Sequence, residues 1–191
     1  MEKLTAAESV GAGISRGDGA SEMLSVNGRY HVVCVGEDGN VRWEDDIENL
    51  VVTVGKNDLL DKYLAGSSYT AAWYMGLVDN TSFTAYAAGD TLASHSGWLE
   101  VVSGYTISGS TTNRATVAWN AASAGSKAST ATAFTITASN TILGCLLTTT
   151  QARNTTTNGG AGVLLSAGSF SGGSRAVVNG DTLNVTYTLS V

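Results

Sequence analysis

Past residue 68 the sequence never sustains a helical period. Short runs rich in Thr, Val, Ile and aromatic residues recur roughly every ten to fifteen residues, set apart by clusters of Gly, Asn, Asp and Ser. The runs fall at 69–78, 98–107, 116–119, 132–138, 141–148, 162–165 and 183–191. Strict alternation in Phe134-Thr135-Ile136-Thr137 and from Leu183 to Leu189 gives each strand an apolar face for a core and a Thr/Ser face for water. Eight or so strands in about 120 residues predict an all-β fold, a jelly-roll-like two-sheet β-sandwich, with an immunoglobulin-like sandwich as the other arrangement. No fixed-period repeat is present, which excludes solenoids and propellers.

Upstream the pattern changes. Residues 29–35 (RYHVVCV), the turn Gly36-Glu37-Asp38-Gly39-Asn40 and then Val41-Arg42-Trp43 predict a hairpin. Leu59, Leu60, Tyr63 and Leu64 lie at helical spacing after Gly55, and Gly66 is a suitable stop, so one helix of about ten residues is expected there. Residues 1–28 carry Gly11, Gly13, Gly17, Gly19 and Gly28 with no periodicity and read as an extended N-terminal arm. Such an arm lacks the apolar surface to order itself and needs a neighbouring chain to hold it. The remaining residues, 29–191, form a single β-sandwich domain, with the hairpin and helix in 29–66 and the main strands in 67–191.

Charge is segregated as well. Residues 1–62 hold 12 acidic and 6 basic residues, whereas 63–191 hold 4 of each, so the net charge of −6 belongs to the first third. An acidic chain without a Lys/Arg cluster does not neutralise phosphates, so neither nucleic acid nor an anionic membrane is an expected partner. No apolar run approaches the roughly 20 residues of a membrane-spanning helix. The first 30 residues lack the apolar core of a secretory signal, which leads to the expectation of synthesis in a cytoplasm. Cys34 and Cys145 are too few for a disulfide framework and read as small buried hydrophobes.

Candidate chemistry is sparse. Gly11-Ala12-Gly13-Ile14-Ser15-Arg16-Gly17 has neither a preceding strand nor a following helix to aim its amides at a phosphate. His31 falls in a predicted strand and His95, flanked by Ser94 and Ser96, in a Ser-rich turn; the two lie far apart in sequence, and after residue 62 only Asp79, Asp90, Glu100 and Asp181 are on offer to complete a triad. Asp45-Asp46, flanked by Glu44 and Glu48, are expected in a solvated acidic turn between hairpin and helix. Asp79-Asn80 and Asn179-Gly180-Asp181 read as turn residues without the pattern of a calcium loop. Trp43, Trp73, Trp98 and Trp119 suit a sandwich core better than a sugar-stacking surface. No catalytic group, cofactor or metal is expected; for a cell-wall hydrolase Asp90 and Glu100 are the carboxylates on offer.

Three stretches carry a resemblance. Trp43 through Leu50, Gly55 through Tyr63 and Ala65 through Tyr69 look like structural proteins of tailed bacteriophages. Ala133 through Thr137, Ile142-Leu143-Gly144 and Asn179 through Thr188 are similar to the last strands of the same proteins. Across 29–191 the chain resembles jelly-roll capsid decoration, or cement, proteins. That likeness implies a non-enzymatic virion protein on the outer surface of the head, binding the assembled major capsid protein lattice and copies of itself as a dimer or trimer. Its partner-binding residues are expected in the arm (Leu4, Val10, Ile14, Arg16, Met23 and Leu24) and in the acidic segment (Glu44, Asp45 and Asp46). The other reading is a tail, baseplate or fibre component contacting host surface glycans.

Overall fold

The computed structural model describes residues 25–64, 72–153 and 162–191. Leu4, Val10, Ile14, Arg16, Met23 and Leu24 lie outside the described residues. In chain order the elements are β1 (Asn27–Val35), β2 (Val41–Val51), α1 (Thr53–Leu64), β3 (Tyr74–Asp79), β4 (Leu99–Glu100), β5 (Tyr105–Thr106), β6 (Ala115–Thr116), β7 (Ser126–Ala128), β8 (Thr132–Ile136), β9 (Asn140–Thr148), β10 (Leu164–Ser169), β11 (Arg175–Val177) and β12 (Thr182–Ser190). The fold is mostly β and antiparallel throughout. Asn27 and Gly28, read as the end of the arm, open the first strand.

The expected β1–β2 hairpin forms around the Gly36–Asn40 turn. Asp38 Oδ1 accepts the Asn40 amide at 3.1 Å, and Gly39 supplies a positive φ of 78°. The second strand is much longer than the sequence suggested. β2 runs on to Val51, pairing with β1 from Val41 to Asn49 and with β10 at Leu50 and Val51. The acidic run 44–48 is therefore strand and not a turn, because its inward positions, Trp43, Asp45 and Ile47, alternate with Glu44, Asp46 and Glu48.

By serving both neighbours in succession, β2 joins two halves into one path, β4-β3-β9-β10-β2-β1-β12-β8-β5. The end strands, β4 and β5, are separated in sequence only by residues 101–104. A linker that short holds the two ends of the path together, so the sheet curls back on itself around a core. That core draws Tyr30, Val32, Ile47, Phe134, Val185 and Tyr187 from one half and Met75, Leu77, Cys145, Leu147 and Leu165 from the other.

The β3-β9-β10 half is covered on its second face too. Val78, Leu143, Leu146, Leu164 and Ala167 pack there against Val52, Leu92 and Trp98 from α1's leading end and the 80–98 loop. Burial on both faces explains why β9 and β10 lack the polar/apolar alternation of β12; Ser166, the polar residue buried within β10, is paired with the Tyr30 hydroxyl at 2.7 Å. Their close approach needs glycine: a Cβ on Gly144 would lie 1.8 Å from the Gly168 carbonyl oxygen. The helix starts at Thr53 and presses Gly55 against the Leu165 backbone. Its far end does not bury the predicted stripe, since Leu60, Tyr63 and Leu64 are exposed.

Two buried arginines pin the seam where the curl meets itself. Arg114 donates from Nε and Nη2 to the Glu100 carboxylate of β4 at 2.7 and 2.6 Å, and from Nη1 to the Thr150 and Ala152 carbonyls at 2.7 and 2.9 Å. Arg153 donates to the carbonyls of Tyr105 in β5 and Thr111 at 2.8 and 2.6 Å, and its guanidinium lies 3.5 Å from the Tyr105 ring centre. Burial pushes the Glu100 carboxyl up against the opposing pull of Arg114. Removing one member of a buried pair leaves the other uncompensated. Glu100→Gln is expected to lose about 3–5 kcal/mol of unfolding free energy; a urea midpoint equal to that of the unaltered chain would show that the seam does not limit stability.

Candidate functional site

The half formed by β2, β1, β12 and β8 has an outer face that no described element covers. Cross-strand register organises it into rows. Glu48, Arg29 and Thr188 lie side by side, as do Asp46, His31 and Thr186, and then Glu44, Val33, Asn184 and Ala133. A column of three carboxylates on β2 therefore borders a column carrying Arg29 and His31, and beyond it the surface becomes neutral and rich in Thr and Asn.

Within this face the charged side chains are linked. Arg29 forms a two-point contact with Asp46, its Nε 3.1 Å from Oδ1, and His31 Nδ1 lies 3.1 Å from the same oxygen. His31 Nε2 is 3.7 Å from Glu44. The hydrogen bond from Arg29, helped by His31 and by the Arg29 charge, holds the Asp46 carboxyl below the usual carboxylate range. The two charged columns do not balance: three carboxylates face one arginine and one histidine, so the edge of the face at β2 carries a negative field.

Of the acidic residues singled out in the sequence, Glu44 and Asp46 lie on this face and Asp45 does not. Strand alternation turns Asp45 inward, where it is buried against Arg175 (Nε at 3.0 Å) and accepts from Ser171 Oγ at 2.7 Å. Asp45, expected among the partner contacts, is placed inward and ties β2 to the β10–β11 region. Burial alone would raise its carboxyl, but the bonds from Ser171 and Arg175 outweigh that and hold it below the usual range. Only its partner 130 residues away distinguishes Asp45 from its acidic neighbours.

His95, Asp90 and Asp181 are engaged in holding the fold together. His95 is stacked on Trp98 with ring centres 3.7 Å apart, places Nδ1 3.1 Å from the Trp98 carbonyl, and is pushed below its ordinary pKa by burial. Asp90 Oδ2 accepts the Trp98 indole N–H at 2.9 Å, and Asp181 is buried against Arg42 Nε at 2.7 Å. Asp90 and Glu100 thus each bond a separate structural partner, Trp98 and Arg114. Both cysteines are free and buried, as expected, and burial raises the Cys34 thiol to about 12. Trp98 is a core residue, while Trp43, Trp73 and Trp119 are partly buried against the core. Among the described residues no group of three His, Cys, Asp or Glu is placed to hold a metal, and no helix is long and apolar enough to cross a membrane.

Sequence reasoning missed Arg114, Arg153 and Arg175, which are isolated in sequence and become pairs only through the curl. Comparison with known proteins gives no match to any family model, curated protein or solved structure.

The Asp45 geometry has a pH signature. A carboxyl whose folded pKa lies below its unfolded value stabilises the fold above the unfolded value and loses that contribution as pH falls through the folded one. The contribution of Asp45 is therefore complete above about pH 5 and drains away as pH falls through 4 and below. Asp45→Asn is expected to lower stability at pH 7 and to flatten the acid limb of a plot of unfolding midpoint against pH; equally steep limbs in both proteins would assign that limb to other carboxyls.

Proposed function

We propose that the chain is a non-enzymatic virion protein that decorates the outside of a tailed-phage head and stabilises it by binding the assembled major capsid protein shell. The observation that carries this reading is the uncovered face of β2-β1-β12-β8, a rigid surface graded from a carboxylate column to a neutral Thr/Asn field. The stretches that resemble phage decoration proteins fall largely on the same framework, in β2, α1, β8, β9 and β12. The jelly-roll likeness belongs to this reading, since a curled antiparallel sheet with one short helix is compatible with such a body.

A decoration protein acts by mass action. Binding the assembled shell and not free subunits stabilises assembly by the free energy of occupancy, and many copies make weak individual contacts sufficient. The acidic column suits a basic patch on the shell and repels nucleic acid and anionic lipid. Copies of the chain itself are the second partner in this reading. The protein is made in the host bacterial cytoplasm and ends on the virion surface.

Sedimentation of the purified chain with emptied heads, and separately with unassembled capsid subunits, tests the proposal. Heads are expected to carry the protein down and subunits are not. Replacing Glu44, Asp46 and Glu48 together by Gln, Asn and Gln is expected to weaken head binding about tenfold, at roughly half a kcal/mol per exposed charge, and to reduce its salt dependence. Binding to host cells with no binding to heads would overturn the head assignment in favour of a tail or fibre component.

A further inference from the structure

β1 and β2 part at the pair Gly28–Asn49. Beyond it β2 turns to β10 with Leu50 and Val51, while β1 stays with β12 as far as Asn27 and Ser190. In the angle between the parting strands lies a cavity of about 380 Å³, lined by Asn27, Gly28 and Arg29 of β1, Glu48 of β2, and Thr188 and Ser190 of β12. Strand alternation puts Asn27 and Ser190 on the same face as the row Glu48, Arg29 and Thr188. The cavity therefore opens on the uncovered face, at one end of its carboxylate column.

The charges at the cavity do not cancel. Glu48 stands directly opposite Arg29 in the register, yet the guanidinium gives Nε and Nη2 to Asp46 on the diagonal. His31 lies beside Asp46 and Glu44. Of the three carboxylates in the column, Glu48 is the one that forms no ion pair or hydrogen bond with a described residue; it acts on Arg29 only through its field. Oxygens surround it. Asn27 gives Nδ2 to Ser25 and keeps Oδ1 as an acceptor, and Thr188 and Ser190 bring hydroxyls from the third strand. Behind Gly28 the polarity continues: a Cβ there would lie 2.3 Å from both Asn49 Oδ1 and the Tyr187 hydroxyl, buried oxygens without a hydrogen-bond partner among the described residues.

This chemistry selects a ligand. An unpaired carboxylate repels phosphates and other anions, and a lining without an aromatic ring offers a sugar nothing to stack on. One carboxylate ringed by neutral acceptors on three strands suits a compact cation whose N–H groups diverge, and an ammonium has three of them. Lysine carries that group on a slender apolar stem, whereas a guanidinium is a broad planar fork.

We propose that the cavity between β1, β2 and β12 is a socket for a lysine side chain of the partner protein, its ammonium held by the Glu48 carboxylate and the oxygens of Asn27, Thr188 and Ser190. This deepens the decoration reading, on which the identity of that partner as the capsid shell rests. The general attraction of the acidic column for a basic surface becomes one contact at a named place.

Titration of the full-length chain with N-acetyl-lysine methylamide, followed by backbone amide chemical shifts with no capsid present, tests it. Shifts are expected to centre on Gly28, Arg29, Asn49 and Thr188. The norleucine counterpart is expected not to bind, and the arginine counterpart to bind more weakly than lysine. Glu48→Gln is expected to weaken the lysine probe about tenfold, the scale of one charge-assisted hydrogen bond, and Thr188→Val, which alters no charge, about threefold. Glu44 lies about 13 Å away along β2, beyond the screening length of about 8 Å at physiological salt, so Glu44→Gln is expected to leave the affinity unchanged. A lysine probe that binds no better than norleucine overturns the socket, as do a preference for arginine, equal responses to Glu44→Gln and Glu48→Gln, and shifts centred elsewhere. The two readings fail separately. A chain that binds the probe at this cavity but does not sediment with heads refutes decoration and leaves the socket standing; one that sediments with heads but ignores the probe refutes the socket and leaves decoration standing.

Discussion

The constraint from which the rest of the structure follows is the short 101–104 link between the two ends of the sheet path, with the buried Arg114–Glu100 pair beside it. A buried guanidinium has five N–H groups, and Arg114 commits four of them, two to the oxygens of one carboxylate and two to backbone carbonyls. Lysine could not do this, because a point charge does not present a fork to Glu100 while also reaching Thr150 and Ala152. The pair sits where β4 and β5, the ends of the sheet path, are held within one short linker of each other. Arg114 ties β4 to the chain just after β9, and Arg153, in that same stretch, ties it on to β5 through the Tyr105 carbonyl.

From that closure follows the asymmetry between the two halves. One half has both faces buried, by the core and by the 80–98 loop with α1's leading end, and its strands β9 and β10 are buried at nearly every position. The other buries one face only, and its strands β1 and β12 alternate. The covered half supplies the core and the bare half supplies surface, so on the proposed contact face the outward strand positions are free of packing constraints from any described element.

Much of this was legible in the sequence, and the exceptions share a cause. Periodicity located the hairpin, the single helix and the strands β8, β9 and β12, because these signals are local. It merged β4 and β5 into one strand, since Val101 and the flanking aromatics continue the apolar run and only the chain's departure at 101–104 breaks it. It truncated β2 at Trp43 because an acidic run resembles a turn when the pairing partner of Asp45 is out of view. The short strands β7 and β11 went unseen; each holds three residues whose pairing with β12 or β9, and not their own composition, makes them strand. The same holds for the site: the face was legible as acidic, but which of three adjacent carboxylates points outward was decided by a strand whose length the local pattern did not reveal.

The central position of β12 determines the order of events during synthesis. It fills the gap between β1 and β8, yet about 130 residues separate its start from the end of β2. At 5–20 residues per second the first hairpin waits on the order of ten seconds for that strand, with Tyr30, Val32 and Ile47 lacking the core they will enter. A nascent chain of this topology presents a sticky hairpin to its surroundings throughout that interval, so its yield in a cell is governed by what shields the hairpin on the ribosome as well as by the depth of the finished energy well.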